Sequence, residues 1–466
     1  MAISLTDSQT PVTPRPSLWQ RAWGKLRRRW QWRSSRSRYP RLTLVSQFFP
    51  PDFAATGQLL DDLTHRLAAQ GVQVQVLTGM PAYAYNSSRA ARLEFQPRRC
   101  IRRTRVSRFW PQRIRGRAIN GILYCLRISL RLLRYSRRGD LILYTTEPPY
   151  LPLLGWLLHR LTKTPYLVLL YDLYPDVLVE LGVIGADHWL VRLWRQFNRW
   201  VFADAQELIV LSEPMAARVR SHSPSMAAKL TVIPSWADHE QIRPRAKADN
   251  WFVQKHQLAH RFTVLYSGNQ GRCHDLVTVL AAALLLRHDP DVLFLFIGKG
   301  PQHQRLCQLV HDWGLSNCCF LPYQELEDLP YSLAAADLAL VTLSIEAEGL
   351  VAPSKLYGHL AAGTPIAAIT PAHSYLHHLV ESTGCGRWFA NGNADLLAAW
   401  IAELKANPAQ VRACGLAARQ WLERSATPEI VMRQYLALIE RHLPEHKQRN
   451  LRPRTDARAG MKIAPQ

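Results

Sequence analysis

The sequence predicts an α/β protein made of two Rossmann-like domains, each built on a parallel sheet, facing one another across a cleft. Three observations carry this. A strand, loop, helix, strand pattern recurs through both halves of the chain, as parallel sheets require. The chain has 466 residues, too many for one ordinary core. Hydrophobic residues make up 48% of it, enough to fill two.

The elements follow in chain order. Residues 1–40 read as a basic tail in which Trp19, Trp23, Trp30 and Trp32 are interleaved with arginines. Tryptophan favours a membrane–water interface and arginine pairs with anionic headgroups; a disordered basic tail has the same composition. The first domain is expected over 41–238. LTLVSQFF (42–49) is a buried-strand run, PPDFAATG a loop, QLLDDLTHRLAAQG a helix-period stretch and VQVQVLTG (72–79) a second strand. DLILYTT (140–146), a helix and YLVLLYDL (166–173) repeat the unit. ELIVLS (207–212), a helix carrying Met215 and Val219, and KLTVIPS (229–235) close it.

A linker is expected over 239–258 and a second domain over 259–425. Its strands are RFTVLYSGN (261–269), DVLFLFIGKG (291–300), CCFLPY (318–323), DLALVTL (337–343) and TPIAAIT (364–370), with helices near 275–286 and 355–362. A C-terminal helix over 426–445 is expected to pack back on the first domain, with a disordered tail over 446–466.

Several function classes recede on composition and spacing. The eight cysteines include no CxxC pair and no zinc spacing, so reduced, packed thiols are expected. No GxGxxG occurs, which disfavours a dinucleotide-dependent dehydrogenase. The start of the chain lacks an apolar signal-peptide core, and no run of about 18 residues is free of charge. Lys+Arg is 58 against 35 Asp+Glu, a net charge of +23 that implies an anionic partner. Residues 98–138 hold fourteen arginines, and within them Ile122, Leu123, Leu126, Leu130 and Leu133 alternate with Arg127, Arg131 and Arg134. That pattern predicts a basic amphipathic helix docking on an anionic membrane. The alternative is a helix packed on the sheet with solvated arginines.

Ligands of parallel sheets sit beyond the carboxyl ends of the strands. YSGNQGR (266–272) supplies small residues, free amides and a cation directly after a strand. Gly268 and Gly271 allow close approach, and Arg272 offers a fork of donors. In EGLVAPSKLYGHLAAGTP (348–365), Pro353 and Ser354 open a helix with Lys355 in its first turn. A lysine there opposes the helix dipole, which points to a bound anion such as a diphosphate. FIGKGP ends a strand in Gly298, Lys299 and Gly300 and reads as a tight turn flooring a nucleoside.

These segments resemble, in order, the retaining GT-B glycosyltransferases of family 4, also called group 1. YSGNQGRCHD is similar to the family's YxGNxGxxH phosphate loop, FIGKGP to its xIGxGP strand end, and EGLVAPSKLYG with AAGTP to the donor motif of a bacterial polysaccharide subgroup. FFPPDFAATGQ, VLTGMPAY, YDLYPD, LSEPM and IPSWAD fall in the family's order, and the resemblance runs from about 41 to 440. It implies that Gly57, in the first loop, lets backbone approach the donor phosphate and acceptor. It implies that Arg272 and Lys355 neutralise the departing diphosphate, that Glu348 bonds ribose or sugar hydroxyls, and that Asn269 and Ser354 help, with Leu356 in the same donor segment. The second glutamate of the family's E-x7-E motif falls at Gly358, and the eighth residue before it is Leu350, so Glu346 and Glu348 are the candidates for the ribose. A histidine that many members place at the match to 145–149 is absent. Asp172, counted here with the catalytic candidates, and Glu147 are the polar groups left to contact acceptor or reacting sugar, and each is equally compatible with a structural role.

The resemblance therefore implies sugar transfer from a nucleoside-diphosphate-sugar, with retention, to a lipid-linked or saccharide acceptor. With no DxD motif, no metal and no further cofactor are expected. The expected location is cytoplasmic, peripheral on the inner face of the membrane, with no nucleic-acid partner. The rival readings are a nucleic-acid-binding basic protein, which the charge permits but no module supports, and a GT-B relative with other or no catalysis, which Gly358 permits.

Overall fold

The computed structural model describes residues 41–52, 55–81, 90–105, 114–135, 140–222 and 224–443. The tails at 1–40 and 446–466 lie outside the described residues.

The strands of the first domain are β1 (Arg41–Val45), β2 (Gln73–Gly79), β3 (Leu93–Gln96), β4 (Arg99–Thr104), β5 (Leu141–Thr145), β6 (Tyr166–Leu170), β7 (Glu207–Val210) and β8 (Leu230–Val232). They form one sheet in the order β3-β4-β2-β1-β5-β6-β7-β8, parallel except where β3 closes the edge against β4. Strands β1, β5 and β6 are buried along their whole length. Strands covered on both faces read as unbroken apolar runs, which is why they were visible in the sequence. The helices are α1 (Ala55–Ala69), α2 (Ile114–Tyr135), α3 (Leu151–Thr162), α4 (Asp176–Glu180), α5 (Trp189–Asp204) and α6 (Glu213–His222).

Two expectations are corrected here. Strand β1 stops at Val45 rather than 49. Beyond it the chain crosses the strand ends, with the amide of Ser46 donating to Leu77 O (3.3 Å) and that of Gln47 to Glu147 O (2.9 Å). The basic segment 98–138 is not one helix, because 99–104 form β4. Arg99 and Arg103 are each 3% exposed and ion-paired, to Asp61 and Glu94. They hold the sheet edge together and cannot face lipid. Helix α2 itself is apolar on two sides. Tyr124, Ile128 and Leu132 are buried at helical spacing, and the Tyr124 hydroxyl donates to Ser46 O (2.7 Å). Ile122, Leu126, Leu130 and Leu133 are exposed.

The second domain has β9 (Phe262–Ser267), β10 (Val292–Ile297), β11 (Cys318–Leu321), β12 (Leu338–Thr342), β13 (Ile366–Ile369) and β14 (Gly386–Phe389), all parallel, in the order β11-β10-β9-β12-β13-β14. Its helices are α7 (Trp251–Lys255), α8 (Val277–Leu285), α9 (His303–Asp312), α10 (Leu329–Leu333), α11 (Lys355–Ala362), α12 (Tyr375–Thr383), α13 (Ala394–Ala406) and α14 (Pro408–Ser425), and a last helix α15 (Pro428–Arg441) follows. The segment read as a linker is docked at its end: Phe252, Val253 and Leu258 lie in the second core.

The two domains share packing. Val431, Met432, Tyr435, Leu438 and Ile439 of α15 belong to the first domain's core. Arg66 of α1 joins Asp62 (2.7 Å), Asp238 (2.8 Å) and Glu429 (3.0 Å), tying helix, crossover and α15 in one cluster. On the cleft side, Leu173 N donates to Leu350 O (3.0 Å), and Asp172 and Val351 form an antiparallel bridge. Among the described residues no helix is long and apolar enough to cross a membrane.

Candidate functional site

Each sheet has a point where successive connections run to opposite sides, between β1 and β5 in the first domain and between β9 and β12 in the second. The loops leaving these strands diverge and open a crevice, the usual ligand site of such sheets. The bridge from Asp172 to Val351 brings the two crevices face to face.

On the second domain's side, the loops after β9 and β10 touch. The amide of Gly268 donates to Ile297 O (2.8 Å). A Cβ on Gly298 would lie 2.2 Å from Gly268 O, and one on Gly300 would lie 2.4 Å from Asn269 Oδ1. Gly268 and Gly298 also have φ of +137° and +121°, a region few other residues adopt. Buried Gln270, which the sequence reading passed over, locks the loops together: its side chain reaches Gly298 O (3.4 Å) and the His303 ring (2.8 Å).

Lys355, the first residue of α11, projects into this crevice. Its Nζ donates to the Tyr266 hydroxyl (2.6 Å) and to His274 Nε2 (3.1 Å), and lies 4.1 Å from the centre of the Tyr266 ring. The polarity of both contacts is fixed from behind. The Tyr266 hydroxyl gives its proton to Asn269 O (2.7 Å), so it accepts from Lys355. His274 Nδ1 is 2.6 Å from Thr342 O, which can only accept, so the ring proton is on Nδ1 and Nε2 is bare. Burial, and then the nearby ammonium, hold the His274 pKa down to about 3. Lys355 thus has two neutral acceptors and, among the described residues, no ion-pair carboxylate. Desolvation pulls its pKa well below the ordinary lysine value. An ammonium held this way lacks the counter-charge that a diphosphate would bring.

The other expected residues fall at different depths. Arg272 and Asn269 are exposed at the rim, and Lys299 is exposed on the β10 loop with its carbonyl fixed by Tyr323. Glu348 is 9% exposed and, among the described residues, neither of its oxygens has a well-formed hydrogen bond, although Ser374 and the amides of Tyr375 and Gly349 lie near enough to offset part of the burial that raises its pKa. Buried acceptors of this kind call for donors, which ribose or sugar hydroxyls carry. Ser354 occupies the position before α11 and makes no capping bond, so its hydroxyl is not consumed by the helix. Two placements differ from expectation. Leu356 is fully buried in the second core, so its side chain cannot line the site. Gly57 sits in the first turn of α1 rather than in a loop, where a Cβ would lie 3.3 Å from the Phe49 backbone; it serves close packing of helix against loop.

Across the cleft stand two carboxyls of the first domain. Glu147 follows β5 and accepts from the Thr56 hydroxyl (2.9 Å); burial, then Asp172, push its pKa up to about 8. Asp172 follows β6, with its amide and that of Tyr171 near Thr146 Oγ1 (3.4 and 3.2 Å), and burial raises its pKa to about 6. The Cys273 thiol lies within electrostatic range of both Asp172 and Lys355, so Asp172 stands near the lysine crevice. Thr56 and Thr146 carried no sequence signal beyond their loops, whereas Tyr266 and His274 stood inside the phosphate-loop motif.

Residues 55–236 match the glycosyl transferase 4-like domain and residues 249–421 the glycosyl transferases of group 1. A Pseudomonas aeruginosa protein named as the glycosyltransferase WbjE is 28% identical over 278 residues, 59% of this chain and 68% of that one. WcaI of Escherichia coli, named for colanic acid biosynthesis, is 27% identical over 286 residues, 60% of this chain and 69% of that one. Among solved structures, sucrose-phosphate synthase from Thermosynechococcus elongatus shares the fold with a TM-score of 0.69 at 19% identity, over 86% of this chain and 98% of that one.

Proposed function

The chain is a GT-B glycosyltransferase whose two halves match the glycosyl transferase 4-like domain and the group 1 glycosyl transferases, and we propose that it moves a sugar, with retention, from a nucleoside-diphosphate-sugar to a lipid-linked saccharide in cell-surface polysaccharide synthesis. The observation that carries this reading is the uncompensated ammonium of Lys355 at the β9/β12 crevice. Leaving-group departure builds charge on a diphosphate. Lys355 and Arg272 meet that charge where a divalent cation would otherwise do so, with the amides of Asn269 and Gly271 beside them. Glu348 holds hydroxyls of the ribose or the sugar. Asp172 and Glu147 face the acceptor side. Gly268, Gly298 and Gly300 let the loops after β9 and β10 close on Lys355 and on one another, beneath the place proposed for the nucleotide.

The polysaccharide context is supported by the name of WcaI. Placement at the inner face of the membrane is supported by the exposed apolar row of α2, from Ile122 to Leu133, on a chain of net charge +23.

The test is transfer from a panel of nucleotide-sugars to a synthetic lipid diphosphate-saccharide, with the anomeric configuration of the product read by NMR. Product of the donor's own configuration supports the reading. Inverted product removes retention, and donor binding without transfer to any acceptor points to a non-catalytic relative.

A further inference from the structure

Helix α5 (Trp189–Asp204) was not anticipated by the sequence reading, and its surface is unusual for a helix flanking a sheet. Of its 16 residues only Val191 and Val201 are buried. Trp189 is 65% exposed, and Leu190, Leu193 and Trp200 about as exposed as one another at 42, 41 and 42%. Neighbouring α3 continues the patch. Its Trp156 stacks on Trp200 (5.5 Å, 21°), and Leu157 and Leu161 of the same helix are exposed on its outer side. An apolar, aromatic patch of this kind on a water-soluble face signals a partner.

Charge says which partner. Arg160, Arg192 and Arg199 are exposed around the patch. Arg160 reaches Asp204 (3.6 Å), which also accepts from the Trp156 indole (2.9 Å), and Arg192 reaches Asp187 at the helix start (3.9 Å); both ion pairs are long and solvent-exposed on the arginine side, and Arg199 has no acid within ion-pair distance among the described residues. A second copy of the chain would bring like charges together across this face. An anionic bilayer supplies both what tryptophan and leucine need and what arginine needs.

The helix is also fastened to the cleft. Arg195 pairs with Asp176 (2.7 Å), Asn198 donates to Tyr174 O (2.6 Å), and Trp194 stacks on Tyr174 (6.1 Å, 14°). Tyr174 lies on the same short loop as Asp172, the acidic residue facing the second domain, and Asp176 opens α4 directly after that loop.

We propose that the outer face of α3 and α5 is a docking surface for an anionic phospholipid bilayer, and that it holds the Asp172 loop at headgroup level so that a lipid-linked acceptor enters the cleft without leaving the membrane. The proposal rests on the lipid-linked acceptor read above and adds the face that meets the lipid. It differs from the row on α2 in being tied by side chains to the acceptor side of the site.

The experiment is vesicle flotation of the full-length protein with phosphatidylcholine vesicles, with and without phosphatidylglycerol, at low and high salt. It compares wild type with Trp189→Ser/Leu193→Ser and with Arg192→Glu/Arg199→Glu. Nucleotide binding serves as the check that each variant is folded. Wild type is expected to float with the anionic vesicles, and each variant to lose roughly tenfold or more of its affinity with nucleotide binding unchanged. Variants that float like wild type overturn the proposal and leave the α2 contact and the transferase reading standing. Wild type that does not float, yet transfers sugar to a water-soluble saccharide, removes membrane docking altogether. A dimer in sedimentation that the serine variant dissociates makes the face a self-association surface and equally overturns the proposal.

Discussion

The ammonium of Lys355 lies 3.1 Å from Nε2 of His274, a nitrogen that can only accept because the ring proton is committed to Thr342 O. With Tyr266 on its other side, Lys355 has two of its three N–H groups directed by neutral partners. Among the described residues the third has no partner, and no carboxylate pairs with the positive charge.

Removing that charge should act on the chemical step. Lys355→Ala is expected to lose about 2.7–4 kcal/mol of transition-state stabilisation, a fall of roughly a hundredfold or more in turnover. Steady-state kinetics at saturating donor checks it. Near-normal turnover takes Lys355 out of the mechanism.

His274 is expected to act through Lys355. His274→Leu removes the acceptor and should lower turnover about tenfold, in line with a lost hydrogen bond to a charged group. His274→Gln, which can still accept, should restore much of it. A merely structural role predicts that both variants lose thermal stability together, with no difference between them in turnover.

The acidic pair works against folding. A carboxyl whose pKa is raised in the folded state contributes stability at low pH, and this is lost as pH rises through the folded value. For Glu147 that window runs from the ordinary 4.5 to about 8. Glu147→Gln keeps the partner for Thr56 and removes the charge. It should therefore be more stable than wild type at pH 8, by about 1–3 kcal/mol, and less active. Denaturation at pH 5 and pH 8 tests the sign. A variant that is destabilised at pH 8 contradicts it.

His359 shows the opposite sign. It is fully buried on α11, neither ring nitrogen has a partner among the described residues, and burial and then Lys355 hold its pKa at about 3. The unfolded chain takes up a proton below 6.5 that the folded chain refuses. Stability should therefore fall as pH drops from 6.5 towards 3, by about 1.4 kcal/mol per pH unit for this group. His359→Leu should flatten that limb in acid denaturation curves, and an unchanged slope would show that other groups set it.

The glycine contacts between the β9 and β10 loops predict a steric loss. Gly300→Ala places a methyl 2.4 Å from Asn269 Oδ1 and 2.6 Å from the Gln270 backbone. Separating the loops should cost about 1–3 kcal/mol and weaken nucleotide binding. Gly185→Ala, with nothing within 4 Å, is the control and should leave binding unchanged.

The sequence was most legible where both faces of a strand are covered. The runs 166–170 and 292–297 are wholly buried and apolar, and their pattern names them directly. The edges were not legible. Strand β3 is an exposed LEFQ, and β4 carries four arginines or threonines in six residues, so neither shows an apolar signature. Strand β4 instead looked like part of a basic helix, because its arginines find carboxyl partners only in three dimensions. Helix α5 was missed for a related reason: with two buried residues it has little core face to read. In the site, the motifs named the loop after β9 and the start of α11, which the structure joins at Lys355. The role of Tyr266 and His274 depended on contacts more than 80 residues apart in the chain, which no local pattern carries.

The central claim is that the crevice around Lys355 binds the diphosphate of a nucleotide-sugar. The most direct measurement is calorimetric titration of UDP-, GDP- and ADP-sugars into wild type and Lys355→Ala, in buffers of differing ionisation enthalpy. Because desolvation lowers the Lys355 pKa in the free protein and an anion would raise it, binding should take up protons and weaken only once pH is high enough for free Lys355 to lose its proton. The account predicts selective binding of one nucleotide, with proton uptake, both diminished in the variant. Binding that is equally strong in Lys355→Ala, or no binding of any of the three, would contradict it.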